Sequence, residues 1–182
     1  SEIFDYGCGR GDDVAILAQN NFEKVSGWDP YFSNGNAIPK KSEFVSLSFV
    51  LNVIEDTDER HSVLKKAFKI ASKALVFSVM LEHQNALQFA YPFNDGYLTS
   101  INTFQKYYSA PEIEAVVKEQ LKDKAIKLGP GIYIVFKDKG LEQEYLFKRQ
   151  LGLLVETKSA VKDDAGDSFA EALVSKMVKT IL

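Results

Sequence analysis

The sequence predicts an α/β fold: a mostly parallel sheet with helices on both faces, an antiparallel edge strand and a helical C-terminal tail. Three observations predict it. Phe4-Asp5-Tyr6-Gly7-Cys8-Gly9-Arg10-Gly11 places a short apolar strand directly before a glycine-rich bend. Asp29 follows eighteen residues after the last of those glycines, closing a second strand that ends Gly27-Trp28. Phe44 to Leu51 is a near-continuous apolar run, the pattern of a central parallel strand buried on both faces. Strand, glycine loop, helix start, strand and acid form the layout with which α/β domains grip nucleotides.

The elements follow in order. Ile3 to Tyr6 reads as the first strand, and Val14, Ile16, Leu17 and Ala18 give an apolar helix face that ends near Asn20-Asn21. Val25 to Trp28 is the second strand, and 29–42 is a Pro/Asn/Gly-rich connection. Thr57 to Ala71 has helical spacing through Val63, Leu64, Ala67, Phe68 and Ile70. Lys73 to Met80 is a Val- and Phe-containing strand. The stretch 81–104 carries loop signals at Pro92 and Asp95-Gly96 and no clear period. Ser109-Ala110-Pro111-Glu112 is a capping box with Pro in the first turn, so a helix runs to about Leu121. Ala125 to Leu128 and Ile132 to Phe136 flank Gly129-Pro130-Gly131 as two closing strands at a sheet edge. The boundaries expected are a cofactor-gripping domain over 1–138 and a helical extension over 139–182. In that extension Leu173, Val174, Met177, Val178, Ile181 and Leu182 form an apolar stripe. It packs on the domain, or contacts upstream sequence missing from this chain or a second subunit.

Composition narrows the function classes. At 182 residues the chain suits one domain, and a hydrophobic fraction of 46% excludes wholesale disorder. A formal charge of −3 and no long Lys/Arg run give no overall pull toward nucleic acid or anionic membrane. The lone Cys8 leaves no disulfide partner and no zinc spacing, so no metal is expected and the setting reads as reducing and cytoplasmic. No apolar stretch approaches the roughly 20 residues of a membrane helix, and no signal peptide is visible. The chain starts at Ser1, almost inside the first strand, and reads as a fragment lacking upstream sequence.

Gly7, Gly9 and Gly11 permit positive φ and close ligand approach, and the helix start behind them offers free N–H groups. Asp29 can accept hydrogen bonds from both hydroxyls of a ribose, and Asp5 sets a carboxylate beside the loop where it can meet a ligand amine. A nicotinamide site usually reads G-x-G-x-x-G, whereas this loop reads G-x-G-x-G. Asp5, Asp12 and Asp13 would also repel a pyrophosphate, since like charges ~5 Å apart cost roughly 3 kcal/mol at an effective dielectric near 20. The acids suit a ligand with a positive ammonium, such as the methionine part of S-adenosylmethionine.

These residues resemble a class I S-adenosylmethionine-dependent methyltransferase. More narrowly, the block from Phe4 to Asp13, Gly27-Trp28-Asp29-Pro30, Phe49-Val50-Leu51-Asn52-Val53-Ile54-Glu55-Asp56 and Thr103-Phe104-Gln105-Lys106 resemble the methyltransferases associated with DNA phosphorothioation systems. The similarity covers about residues 3–138. It implies a Rossmann-like sheet with S-adenosylmethionine across its carboxyl edge and S-adenosylhomocysteine as product. It implies cofactor contacts from Asp5, Gly7, Cys8, Gly9, Gly11, Asp29 and Pro30, with Leu51-Asn52-Val53 following the central strand and facing the transferable methyl. About 14 residues separate Asp29 from the next strong strand, so the usual third strand, with its adenine-contacting acid, is shortened or absent. Pro30, Tyr31 or Phe32 could offer an apolar surface instead. The methyl acceptor is unidentified, and the resemblance alone makes DNA a candidate.

Other groups weigh less. Asn52 and Glu55 are the only candidate catalytic side chains, each with a competing role in loop hydrogen bonding. Asp29-Pro30-Tyr31-Phe32 looks like the Asp/Asn-Pro-Pro-Tyr motif of DNA amino-methyltransferases but stands in the wrong place. Cys8 reads as a small filler, His61 as solvated, and His83 as a group able to reach the active edge. Tyr97, Tyr107 and Tyr108 either line a pocket or pack. Lys40-Lys41 and Lys65-Lys66 read as solvated faces. Two rival functions remain at this point: a non-catalytic S-adenosylmethionine-binding scaffold and a nicotinamide-dependent oxidoreductase.

Overall fold

The computed structural model describes residues 1–20, 22, 24–32, 38, 41–82 and 91–151. The elements are β1 (Glu2–Tyr6), α1 (Asp12–Gln19), β2 (Lys24–Trp28), β3 (Ser42–Ser48), α2 (Val50–Val53), α3 (Thr57–Ile70) and β4 (Ala71–Ser78). They continue with β5 (Tyr91–Phe93), β6 (Gly96–Leu98), β7 (Phe104–Gln105), α4 (Ala110–Leu121), β8 (Ile126–Gly129), β9 (Ile132–Phe136) and α5 (Lys139–Gln150).

Six strands form one sheet in the order β2-β1-β3-β4-β9-β8. The first four are mutually parallel, and β9 runs antiparallel to both β4 and β8. Alternation along β1 decides which side chains go to which face. Phe4 and Tyr6 join Val45, Leu47, Leu75 and Phe77 under α3 and α4, whose Leu64, Ala67, Ile113 and Val117 complete that layer. Ile3, Phe44, Ala74 and Val76 face the other way, against Leu17 of α1 and Tyr145 of α5. The expected helices on both faces are therefore present. Tyr145 also packs on Phe136, ring centroids 5.4 Å apart, so the first helix of the 139–182 extension lies against the sheet. The apolar stripe at 173–182, His83 and Lys40 lie outside the described residues.

Helix ends follow local chemistry. Asp56 caps α3 by accepting the Glu59 amide at 2.6 Å. Ser109 and Glu112 form the expected capping box of α4, both bonds 3.3 Å. At the other end of α3, the Lys137 ammonium donates to the carbonyls of Phe68, Lys69 and Ala71 at 2.9–3.1 Å. A cation there satisfies carbonyls that the helix leaves unpaired.

Two stretches differ from the sequence reading. The apolar run 44–51 stops being a strand at Ser48, because Phe49 turns left-handed (φ 56°, ψ 11°). Its amide donates to the Ser78 carbonyl at 3.1 Å and to Ser78 Oγ at 3.2 Å, which holds the turn. The stretch before residue 104, which shows no clear period in sequence, contains a hairpin, β5–β6, which pairs with β7 as a separate three-stranded sheet. Among the described residues β2 is the outermost strand on its side.

Candidate functional site

The site forms where β1, β2 and β3 end. Gly7, Gly9 and Gly11 all have positive φ (82°, 55° and 90°). Gly7 is the tightest of them: a Cβ there would sit 2.5 Å from Val50 Cγ2, so the loop passes directly under α2. The Gly7 and Cys8 amides both donate to the Trp28 carbonyl, at 2.7 and 3.1 Å. Asp29 then takes the Gly9 amide on Oδ2 at 3.1 Å, and the Tyr31 and Phe32 amides on Oδ1 at 2.8 and 3.2 Å. Loop and acid thus form one hydrogen-bonded unit. Arg10 adds a guanidinium 5.9 Å from the Phe32 ring centroid.

Asp5 lies beneath this unit. It stands opposite Gly27 on one side and Ser46 on the other, and is only 1% exposed. Its Oδ1 has no hydrogen-bond partner among the described residues. Burial pushes its carboxyl up to about 7, repulsion from Asp13 and Asp29 adds to the rise, and a hydrogen bond from Ser46 opposes it. Burial and then Asp12 also raise Asp13. Cys8 packs against Gly27, where a Cβ would come within 2.8 Å of its Sγ. That is the packing role expected of a small filler.

Beside the loop opens a cleft of about 520 Å³. Tyr6, Gly7, Trp28, Asp29, Pro30 and Tyr31 line one side. Val50, Val53, Ile54 and Glu55 line the other, with Glu59, Ser62, Val63 and Lys66 of α3. Tyr31 is 89% exposed at the rim. Glu55 and Glu59 also border a second groove of about 590 Å³, between the start of α3 and the β5–β6 turn at Asn94-Asp95.

The expected contacts divide. Gly7, Asp29 and Pro30 border the cleft, while Asp5, Cys8, Gly9 and Gly11 are not part of its lining. Leu51 and Asn52 do not face it. α2 is one helical turn, so Val50 and Val53, three apart, share the cleft face and the two residues between them turn inward. Leu51 is 2% exposed in the core. Asn52 is fully buried: its Nδ2 donates to the Lys106 carbonyl, and its Oδ1 accepts the Met80 amide at 3.1 Å. Asn52 is a positioning clamp that ties α2 to the ends of β4 and β7. Glu55 is exposed and accepts a 3.1 Å bond from Asn94 Nδ2. The tyrosines pack instead of lining the cleft. Tyr97 and Tyr107 sit edge to face at 6.0 Å, and buried Tyr108 donates to the Leu51 carbonyl at 3.3 Å.

Trp28, Val50, Ser62 and Lys66 escaped the sequence reading as site residues, whereas Val53, expected together with Leu51 and Asn52, does line the cleft. Alternation in β2 places Trp28 on the same face as Tyr6, which is a signal for the first of them. The others depend on how α2 and α3 cross the sheet. Among the described residues no group of His, Cys, Asp and Glu could hold a metal ion, and no helix is long and apolar enough to cross a membrane.

No family model matches this chain, and no curated protein matches it. Solved structures do. A magnesium protoporphyrin IX methyltransferase from Synechocystis PCC 6803, with bound S-adenosylhomocysteine, superposes with a TM-score of 0.51 at 16% identity, over 75% of this chain and 74% of that one. An amino pentose methyltransferase from Micromonospora echinaspora, with S-adenosylmethionine bound, gives 0.54 at 10% identity, over 75% and 83%. An S-adenosylmethionine-dependent methyltransferase from Methanosarcina mazei gives 0.51 at 14% identity, over 75% and 92%. The chain has the methyltransferase fold. At these identities the likeness is one of architecture.

Proposed function

We propose that this protein is an S-adenosylmethionine-dependent methyltransferase. One observation carries the reading: a buried carboxylate oxygen of Asp5 without a partner, under a glycine loop latched to Asp29, at the head of an open cleft. A buried carboxyl held by Ser46 with its other oxygen unpartnered fits a ligand ammonium and, when ionised, would repel a pyrophosphate. Gly7, Gly9 and Gly11 then cradle the methionine end, and Asp29 takes the ribose. Pro30 borders the same end of the cleft.

S-adenosylmethionine, when bound, supplies an electrophilic methyl group on a sulfonium. The chain's contribution is alignment and exclusion of water. Val50, Val53 and Ile54 present an apolar wall on the side away from Asp29. Glu55, which with Glu59 borders both grooves, is a carboxylate placed to accept a proton from an acceptor that must lose one. Asn52 acts through the backbone it holds.

The short motif blocks support a place in a DNA phosphorothioation-linked modification system, with DNA as acceptor. The cleft itself carries Asp29, Glu55 and Glu59 against Lys66, so a duplex would need its phosphate contacts from elsewhere. The test is thermal unfolding with saturating S-adenosylmethionine or S-adenosylhomocysteine, followed by transfer of labelled methyl to DNA, RNA, protein and small-molecule acceptors. Ligand at 100-fold over Kd should raise Tm by roughly 5–10 °C. A flat response to both ligands refutes the reading, and a response to NAD alone would point to an oxidoreductase. Binding without turnover on any acceptor would mark a cofactor-binding scaffold.

A further inference from the structure

We propose that the adenine of the cofactor is stacked on Trp28 and read by α3, which replaces the acid that a third strand would otherwise supply. The inference rests on the methyltransferase reading and adds the recognition of the nucleobase to it.

The space beside β2 is the starting point. Among the described residues β2 has no outer neighbour, and between Asp29 and Glu43 the sequence holds no acid to bring to this corner. Trp28 closes β2 on the α3 side of the sheet. It is half-buried and lines the cleft, and its ring is backed by Tyr6 with centroids 5.3 Å apart. Tyr6 is only 5% exposed, so the indole rests on a rigid support. A half-open indole with a fixed back is a platform for a flat aromatic ring.

Opposite it stands one face of α3. Glu59, Ser62, Val63 and Lys66 all line the cleft, and their spacing of three, four and seven places them on a single side of the helix. A purine edge needs an acceptor for its exocyclic amino group and donors for its ring nitrogens. Glu59 supplies the acceptor, while the Ser62 hydroxyl and Lys66 ammonium supply the donors. Val63 gives the apolar contact between them. With the amino-acid end at Asp5 and the ribose at Asp29, the cleft continues past Trp28 to this face.

Trp28 is the chain's sole tryptophan, so intrinsic fluorescence reports on it alone. The full chain is titrated with S-adenosylhomocysteine and followed by tryptophan emission and by calorimetry. A saturable change in emission with the calorimetric Kd is expected. The Ser62→Ala/Lys66→Ala double variant should bind about tenfold more weakly. Glu59→Ala should weaken S-adenosylhomocysteine severalfold and leave S-inosylhomocysteine, with a carbonyl in place of the amino group, unaffected. All three positions lie on the outer, cleft-facing side of α3, so Tm without ligand should hold. Calorimetric binding with unaltered emission and an unchanged Kd in the variants overturns the proposal and leaves the methyltransferase reading standing. Absence of any binding heat or thermal shift overturns both.

Discussion

Asp29 Oδ2 accepts the Gly9 amide at 3.1 Å, so the end of β2 holds the middle of the glycine loop across twenty residues of chain. The same carboxylate fixes the turn that follows it through the Tyr31 and Phe32 amides. Asp29→Ala removes acceptors from three N–H groups at once. It should cost about 2 kcal/mol in urea unfolding, most of the amides being able to turn to water. It should also abolish most of the thermal shift produced by S-adenosylhomocysteine. Unchanged ligand affinity in this variant would remove Asp29 from the ribose.

Asp5 makes ligand binding and stability depend on pH in opposite senses. Its folded carboxyl sits at about 7 against an ordinary value of 3.8, so the folded protein binds the proton more tightly than the unfolded chain does. Stability therefore falls as pH rises from about 4 to about 7, and the full cost, of order 4 kcal/mol at most, is present above that window. Asp5→Asn should raise Tm at pH 8 and change it little at pH 4. A ligand ammonium favours the ionised form, so binding near pH 6 should release a proton, seen as a dependence of calorimetric heat on buffer ionisation. Asp5→Asn should lose that release and bind more weakly. A variant less stable than the parent at pH 8 would contradict the account.

Asn52 serves the fold, and its loss should look that way. Asn52→Ala leaves the part-buried Met80 amide and the buried Lys106 carbonyl short of partners. The expected cost is roughly 2–4 kcal/mol in denaturant unfolding. Affinity of the folded fraction for S-adenosylhomocysteine should stay within about threefold, since the side chain turns away from the cleft. A large loss of affinity with normal stability would return Asn52 to the binding surface.

Arg60 is 3% exposed and reaches from α3 to the β5–β6 turn, where its guanidinium meets both oxygens of Asp95 at 2.6–2.7 Å. The same nitrogen donates to Thr57 Oγ1 at 2.8 Å. Asp95→Ala leaves that buried cation without its carboxylate and should cost about 2–3 kcal/mol. Amides of Gly96 to Leu98 should exchange faster with solvent. Adding Arg60→Met to Asp95→Ala should recover part of the loss, because the unpaired charge goes with it. An equal or larger loss in the double variant would show that Arg60 acts through packing alone.

Much of this is legible in the sequence, for reasons that differ by residue. β1, β2 and the capped helix from Ser109 are written in local chemistry: alternation, glycine and a side-chain cap. The Asp5–glycine loop–Asp29 unit is equally local, since one strand–helix–strand passage contains it. The break at Phe49 is not legible, because the near-continuous apolar run 44–51 shows no turn residue at that point and the turn is held by Ser78 from β4. The inward turn of Leu51 and Asn52 hangs on that same break. The β5–β6 hairpin is held by Arg60, thirty-five residues before its turn, so no window of sequence displays its anchor.

The place of β9 has a consequence for how the protein is made. It inserts between β4 and β8, so the hydrogen-bonding rim of Ala-Leu-Val-Phe in β4 gains its partner only when residues 132–136 have left the ribosome. Until then the nascent chain displays an apolar, unprotected strand, a template for pairing with other chains. Any version of this protein cut before Ile132 should be captured by chaperones or accumulate as inclusion bodies, even with the glycine loop and Asp29 intact.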